Sequence, residues 1–163
     1  MSIHFLLLTS FVYLQIEAPT PEDVVTTLFI ATDQQDWEVV KEQFGEKVFL
    51  DYASMSGVPG ATLSPEEIVS SWKGVLPGFA CTHHQIGNVQ TRIEQDQARV
   101  FCYGTATHFL SDPAGNIWTV VGSYHFDLAR DASGSWKITS MKFNFKYQDG
   151  NTELPAKAIE KLK

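Results

Sequence analysis

The chain has 163 residues, 44% of them hydrophobic and 12% aromatic, a composition that folds around one core and leaves no room for two ordinary domains. Twelve basic against nineteen acidic residues give a net charge of −7, and without a cluster of Lys and Arg to follow a phosphate backbone the sequence excludes nucleic acid as a partner. Two cysteines, Cys81 and Cys102, match neither a zinc motif nor a secreted disulfide framework and read as reduced core residues, with a bridge between neighbouring strands left open.

In chain order, Met1 to Ile16 carries the apolar run Phe5-Leu6-Leu7-Leu8 and Phe11-Val12-Tyr13-Leu14. No Lys or Arg precedes it, and Ala18, the small residue nearest a cut, is followed by Pro19, so it makes a poor export signal. It is also too short to span a bilayer. Residues 1–18 therefore read as an N-terminal extension packed on the domain or on a second subunit, with no membrane contact and a cytoplasmic location; export is the alternative. Thr20-Pro21-Glu22-Asp23 opens a helix that runs to about Thr32 on an apolar face of Val24, Val25, Leu28 and Ile30-Ala31. Asp36 caps a second, short helix with Trp37, Val40 and Phe44 on its apolar face and Gly45 closing it. Val48 to Tyr52 alternates as a strand, and residues 53–61 hold the glycines, proline and serines of a loop. The capping box Ser64-Pro65-Glu66-Glu67 starts a third helix, whose Ile68, Val69, Trp72, Val75 and Leu76 keep helical spacing until Pro77-Gly78.

Four β-rich segments follow, near 81–93, 98–111, 117–130 and 136–148, separated by turn chemistry such as Asp112-Pro113-Ala114-Gly115-Asn116. Leu154 to Leu162 carries a weak helical pattern, so 151–163 reads as a tail or short helix. The order predicts an α+β fold over residues 19–150, with three N-terminal helices packed on a curved antiparallel sheet shaped as a cone around a pocket. On the convex side several of Phe109, Trp118, Tyr124, Phe143, Phe145 and Tyr147 would be left bare, which predicts a homodimer or higher oligomer through the sheet.

His83, His84, His108 and His125 all fall in the β-rich stretch, and imidazole titrates near neutrality. Strand alternation lets one of His83 and His84 face the pocket. Antiparallel neighbours can set His84 beside His108, leaving His83 and His125 as packing residues. Asp33, where the first helix ends, is the natural carboxylate partner, and Tyr52 either offers its hydroxyl to the pocket or forms its wall. Asp36 reads as a cap. No H-x-H or H-x-x-x-H spacing marks a metal site, and neither a Gly-x-Ser-x-Gly elbow nor a phosphate-binding glycine loop is present.

Taken in order, Asp33, Asp36-Trp37, Asp51-Tyr52, Pro65-Glu66-Glu67, Thr82-His83-His84-Gln85-Ile86-Gly87, His108 and Gly134-Ser135-Trp136-Lys137-Ile138 resemble the SnoaL-like and scytalone dehydratase-like branch of the nuclear transport factor 2-like superfamily, over about residues 19 to 150. The resemblance implies the same cone fold. It matches His84 and His108 to the two histidines of scytalone dehydratase, Asp33 to the aspartate that hydrogen-bonds one of them, and Tyr52 to one of its tyrosines. Thr32 stands where the other tyrosine would be, and Phe126 and Leu128 stand where the family carries serine and asparagine. Thr32, Phe79, Trp118, Tyr124, Phe126 and Leu128 are the expected pocket wall.

The function so implied is cofactor-independent proton transfer next to a carbonyl, of dehydratase, isomerase or cyclase type. Asp33 is expected to orient His108 and raise its basicity, His108 to move the proton, and His84 with Tyr52 to donate hydrogen bonds to the enolate oxygen. The expected ligand is a small apolar or aromatic hydroxy-carbonyl compound other than scytalone, since apolar groups at 126 and 128 remove polar partners. Two alternatives make distinct predictions. A ligand carrier without chemistry predicts that Asp33 and His108 do not touch, and a structural dimerisation domain predicts a pocket filled by Trp118, Phe101 or Phe126.

Overall fold

The computed structural model describes residues 18–163; the apolar run Met1–Ile16 lies outside them. Helix α1 spans Pro21–Gln34 and begins in a reciprocal capping box. Asp23 N–H donates to Thr20 Oγ1 at 3.2 Å, and Thr20 N–H donates to the Asp23 carboxylate at 2.8 Å, satisfying two of the amides a helix start leaves unpaired. The helix outlasts its expected end at Thr32 and closes at Gln35, whose φ of 57° is left-handed. Asp36 caps α2 (Trp37–Glu42) by accepting from Val39 N–H. Phe44, expected on the α2 face, instead opens strand β1 (Phe44–Asp51), because Ile138 N–H donates to Gln43 O and draws the chain into the sheet at that point.

Residues 53–61, expected as loop, contain the single turn α3 (Ala53–Ser56) and lead to strand β2 (Ala61–Leu63), antiparallel to β1. Ser54 holds the turn on the sheet: its hydroxyl donates to Phe143 O at 2.7 Å and accepts from Phe145 N–H at 2.9 Å. Helix α4 (Pro65–Lys73) starts in the expected Ser64–Glu67 box and stops at Gly74, after which Leu76–Gly78 forms a 3₁₀ turn.

Strands β3 (Cys81–Glu94), β4 (Gln97–Phe109), β5 (Ile117–Arg130) and β6 (Trp136–Gly150) form the antiparallel meander. The curved sheet has six strands in the order β2-β1-β6-β5-β4-β3 and is not closed. One pairing departs from the antiparallel expectation. Strand β1 runs parallel to β6, an arrangement that needs a long connection, which α3, α4 and the meander supply.

Alternation decides which side chains enter the core. Val100 and Cys102 of β4, Trp118 to Leu128 at even positions of β5, and Ile138, Met141 and Phe143 of β6 are buried with Val25 and Leu28 of α1. This corrects the outer face: Trp118, Tyr124 and Phe143 point inward, and the exposed large apolar residues include Tyr103, Phe109, Ile117 and Tyr147. Cys102 is buried as expected, but Cys81 is exposed at the first position of β3, and both thiols are free. Helix α5 (Leu154–Glu160) joins the core through the buried Leu154 and Ala158. It lies so close to the 3₁₀ turn that a Cβ at Gly78 would overlap the Ala158 carbonyl.

Candidate functional site

A cavity of about 140 Å³ lies between the concave face of β4–β6 and the helices, walled by Phe29, Trp72, Trp118, Phe143, Tyr52 and Tyr124 among others. Its hollow has a simple origin. The inward row of β4 runs Cys102, Gly104, Ala106, His108, and Gly104 lies opposite Gly122 on β5. Small residues in mid-sheet leave space that the large side chains around them enclose.

Asp33, near the end of α1, reaches the start of β3. Its Oδ1 accepts the Thr82 hydroxyl at 2.7 Å and lies 2.7 Å from His84 Nδ1, while Oδ2 accepts the His84 backbone N–H at 2.6 Å. Burial by itself would raise the carboxyl. The His84 ring and amide and the Thr82 hydroxyl together outweigh it and hold Asp33 below its ordinary value, so it is ionised at neutral pH. An ionised carboxylate only accepts, so Nδ1 of His84 carries a proton, and the neutral form of the ring held this way has its lone pair on Nε2. Phe29, one turn before Asp33, stacks on the His84 ring at 5.3 Å and 22°.

The expected partner of Asp33 was His108, and this is corrected. His108 is 5% exposed, lies 4.5 Å from the Trp118 ring and 4.9 Å from Phe79, and donates Nδ1–H to Trp118 O at 3.3 Å. Its ring stands edge-on to His84 at 6.1 Å. Nor is its basicity raised. Burial first, and then the neighbouring His84, push its pKa down to about 4, against smaller opposing effects of the Trp118 carbonyl and Asp33. At neutral pH His108 is uncharged, with its second ring nitrogen able to accept a hydrogen bond and unable to give a proton.

The remaining predicted residues divide. Thr32, Tyr52, Trp118 and Tyr124 line the cavity, whereas Phe79, Phe126 and Leu128 do not. Phe79 backs His108 and Trp118, and Phe126 and Leu128 are almost wholly buried deeper in the core, because the cavity is confined to the β5 stretch around Trp118–Tyr124. Thr32 spends its hydroxyl proton on Leu28 O at 2.7 Å, and Trp118 Nε1–H donates to Gln148 at 2.8 Å. The Tyr52 hydroxyl donates to Met141 Sδ at 4.0 Å, and desolvation raises its phenol well above the ordinary value, keeping it protonated. Missing from the expected wall were Phe29, Met55, Trp72, Leu76, Ala106, Val120, Met141 and Phe143. Phe29 was findable, since i,i+4 spacing on α1 puts it beside Asp33. The strand residues depend on where the sheet curls, which alternation does not state. Among the described residues no three His, Cys, Asp or Glu side chains gather in a way that could hold a metal, and no helix is long and apolar enough to cross a membrane.

The curved, open six-stranded sheet with helices packed over a cavity is the α+β fold of the nuclear transport factor 2-like class. Residues 22–142 match the SnoaL-like domain, and the chain belongs to that family. No curated protein matches it. Among solved structures it is similar to the Kfla4162 protein from Kribbella flavida, with 23% identity, TM-score 0.78, and 83% of this chain and 94% of that one covered. It is also similar to a protein from Novosphingobium aromaticivorans provisionally designated a scytalone dehydratase, with 19% identity, TM-score 0.67, and 80% and 84% covered. A hexachlorocyclohexane dehydrochlorinase, LinA type 2, shares 14% identity at TM-score 0.67, with 80% and 86% covered. At these identities the likeness shows the fold.

Proposed function

We propose that the protein is a cofactor-independent enzyme that moves a proton next to the carbonyl of a small hydroxy-carbonyl compound, as a dehydratase, isomerase or cyclase. The observation that carries this is the 2.7 Å contact between Asp33 Oδ1 and His84 Nδ1 at the wall of the cavity. Asp33 holds His84 in the tautomer whose free nitrogen takes a proton from carbon, and stabilises the imidazolium that results. The electron pair of the broken C–H bond moves onto the carbonyl oxygen. Tyr52 and Tyr124, both kept protonated by burial, are the available donors to that oxygen. His84 then returns the proton to a departing hydroxyl or to another carbon. The base expected at His108 is thus His84, the donor role expected of His84 passes to Tyr124, and His108 accepts a hydrogen bond from a substrate hydroxyl.

The lack of an Asp33–His108 contact was the mark of a mere ligand carrier. That missing contact favours the carrier reading, and the Asp33–His84 contact at the cavity wall is what supports the catalytic one against it. The same reading includes self-association through the outward face that bears Tyr103, Phe109, Ile117 and Tyr147, checked by sedimentation. The test of the chemistry is proton exchange of single-ring hydroxy-ketones in D₂O, followed by NMR. His84→Ala should slow exchange about 10²–10⁴-fold, and more than His108→Ala does. Equal rates in the wild type and His84→Ala overturn the assignment.

A further inference from the structure

We infer that Tyr124 is the group that reads the ligand's oxygen, that Gly104 is the seat that aims it, and that the cavity selects an uncharged, oxygen-bearing ring compound over both a hydrocarbon and a carboxylate. The inference rests on the cavity being a ligand site, as proposed above, but not on any reaction occurring there.

Tyr124 lies on β5 with its ring clasped by Phe29 at 4.9 Å, Phe143 at 4.8 Å and Phe126 at 5.8 Å. Its hydroxyl makes no hydrogen bond to any described residue, yet no described side-chain oxygen or nitrogen is both fully buried and unpaired. The hydroxyl therefore opens on free space, and the space it borders is the cavity. Of the other donors there, Thr32 is committed to Leu28, Trp118 to Gln148 and His108 Nδ1 to Trp118, while the Tyr52 hydroxyl is directed at Met141 Sδ at 4.0 Å. A donor held by three aromatic rings loses little freedom when a ligand oxygen accepts from it, which is what makes a hydrogen bond count toward affinity.

The seat is visible in the neighbouring strand. A Cβ at Gly104 would overlap Tyr124 Cε2 and come within 2.8 Å of Cδ2, and the three nearest atoms it would meet all belong to that ring. The position has no positive φ that would demand glycine. Glycine here is explained by the phenol that lies across it, so Gly104 is a positioning residue for the Tyr124 hydroxyl.

Charge selection follows from the lining. No Lys or Arg is among the lining residues, the nearby Lys142 is paired with Asp51 at 3.2 Å, and the ionised Asp33 stands behind His84. A ligand carboxylate would be stripped of water with no cation to meet it and with an anion nearby, a costly burial.

The test uses acetophenone, ethylbenzene and benzoate, three single-ring probes of matched size, titrated into the full chain with tryptophan fluorescence as readout, since Trp72 and Trp118 line the cavity. The wild type should bind acetophenone more tightly than the other two. Tyr124→Phe should weaken acetophenone about three- to tenfold, the worth of one neutral hydrogen bond, and leave ethylbenzene unchanged. Gly104→Ala should erase the same preference, and the double variant should lose no more than either single one. The acetophenone-to-ethylbenzene ratio within each variant is read, so a general loss of stability does not imitate the result. An unchanged ratio in Tyr124→Phe, benzoate binding as tightly as acetophenone, or no binding of any probe by the wild type overturns the inference. Loss of proton exchange with these ratios intact would instead count against the proposed reaction alone.

Discussion

Replacing Asp33 with asparagine should turn the His84 ring into its other tautomer. The reason lies in the three donors around the carboxylate, only one of which cannot change. The His84 backbone N–H, 2.6 Å from Oδ2, must donate, so the substituted side-chain amide has to place its oxygen there and its NH₂ toward the Thr82 hydroxyl and His84 Nδ1. A hydroxyl can rotate to accept. An imidazole can accept on Nδ1 only by carrying its proton on Nε2. All three contacts survive, but as neutral bonds worth about 1 kcal/mol each in place of charge-assisted ones worth about 1.5–3 kcal/mol. Summed over the three contacts the expected loss is about 1.5–6 kcal/mol, which at roughly 2–4 °C per kcal/mol is at least about 3 °C in Tm for a domain of this size. The chemistry should fall much further, about 10²–10⁴-fold, because the nitrogen that takes the proton is no longer free. Long-range ¹⁵N–¹H correlation spectra of the His84 ring at pH 7 read the tautomer, and denaturant unfolding reads the stability. Because Asp33 sits below its unfolded-chain value, its stabilisation is fully present above the ordinary carboxylate range. It disappears as pH falls through the lowered folded value, so the gap between wild type and variant should close in acid. An Nδ1-protonated ring in the variant, or a stability gap independent of pH, would refute the account.

His108 adds a loss in the same direction, toward acid, but in a higher pH window. Its pKa is lowered from 6.5 to about 4 in the folded state, so the unfolded chain takes up a proton first and folding stability falls as pH drops from about 6.5 towards 4. The wild type should lose about 2 kcal/mol from this group by pH 5, and His108→Phe should lack that component; parallel pH profiles in urea unfolding would contradict it. Gly78→Ala places a Cβ into the Ala158 backbone and should cost about 1–3 kcal/mol. Amide exchange should speed up across Leu154–Glu160, with the β4–β5 pairing still protected; uniform protection would show that α5 is not held by this approach. Gly122→Ala meets both the Phe143 ring and Asn144 O, the latter at 2.5 Å, so it should destabilise the sheet by a similar amount, measured by thermal melting. A stability equal to wild type would mean that the register of β5 and β6 gives more readily than the close approach implies.

Much of the frame was legible in short stretches of chain. Thr20 and Asp23, and Ser64 and Glu67, form their capping boxes because the bonds involved span three residues and need nothing else. The four long strands begin and end within a few residues of their turn signals. The strand β1 was harder. Its first residue, Phe44, has helical spacing to Trp37 and Val40, and only pairing with β6, far along the chain, makes it a strand. The turn α3 was hidden for the same reason, being pinned by Ser54 to Phe143 and Phe145. Within the site, the residue types were readable and their partners were not. His84, His108, Asp33 and Tyr52 all reach the cavity region, while Phe126 and Leu128 pass beneath it into the core.

The sequence by itself therefore determined the capping boxes, the four long strands and the set of groups able to carry a proton, since caps and turns act over a few residues; the inward placing of Trp118, Tyr124 and Phe143 came from the curl of the sheet. Only the tertiary structure decided that Asp33 holds His84 and not His108. That choice depends on where α1 crosses the end of β3, fifty-one residues away in the chain, and on how the sheet curls to bury His108 between Phe79 and Trp118. A carboxylate meets whichever imidazole the packing brings within hydrogen-bond reach, and burial then sets the charge of the other.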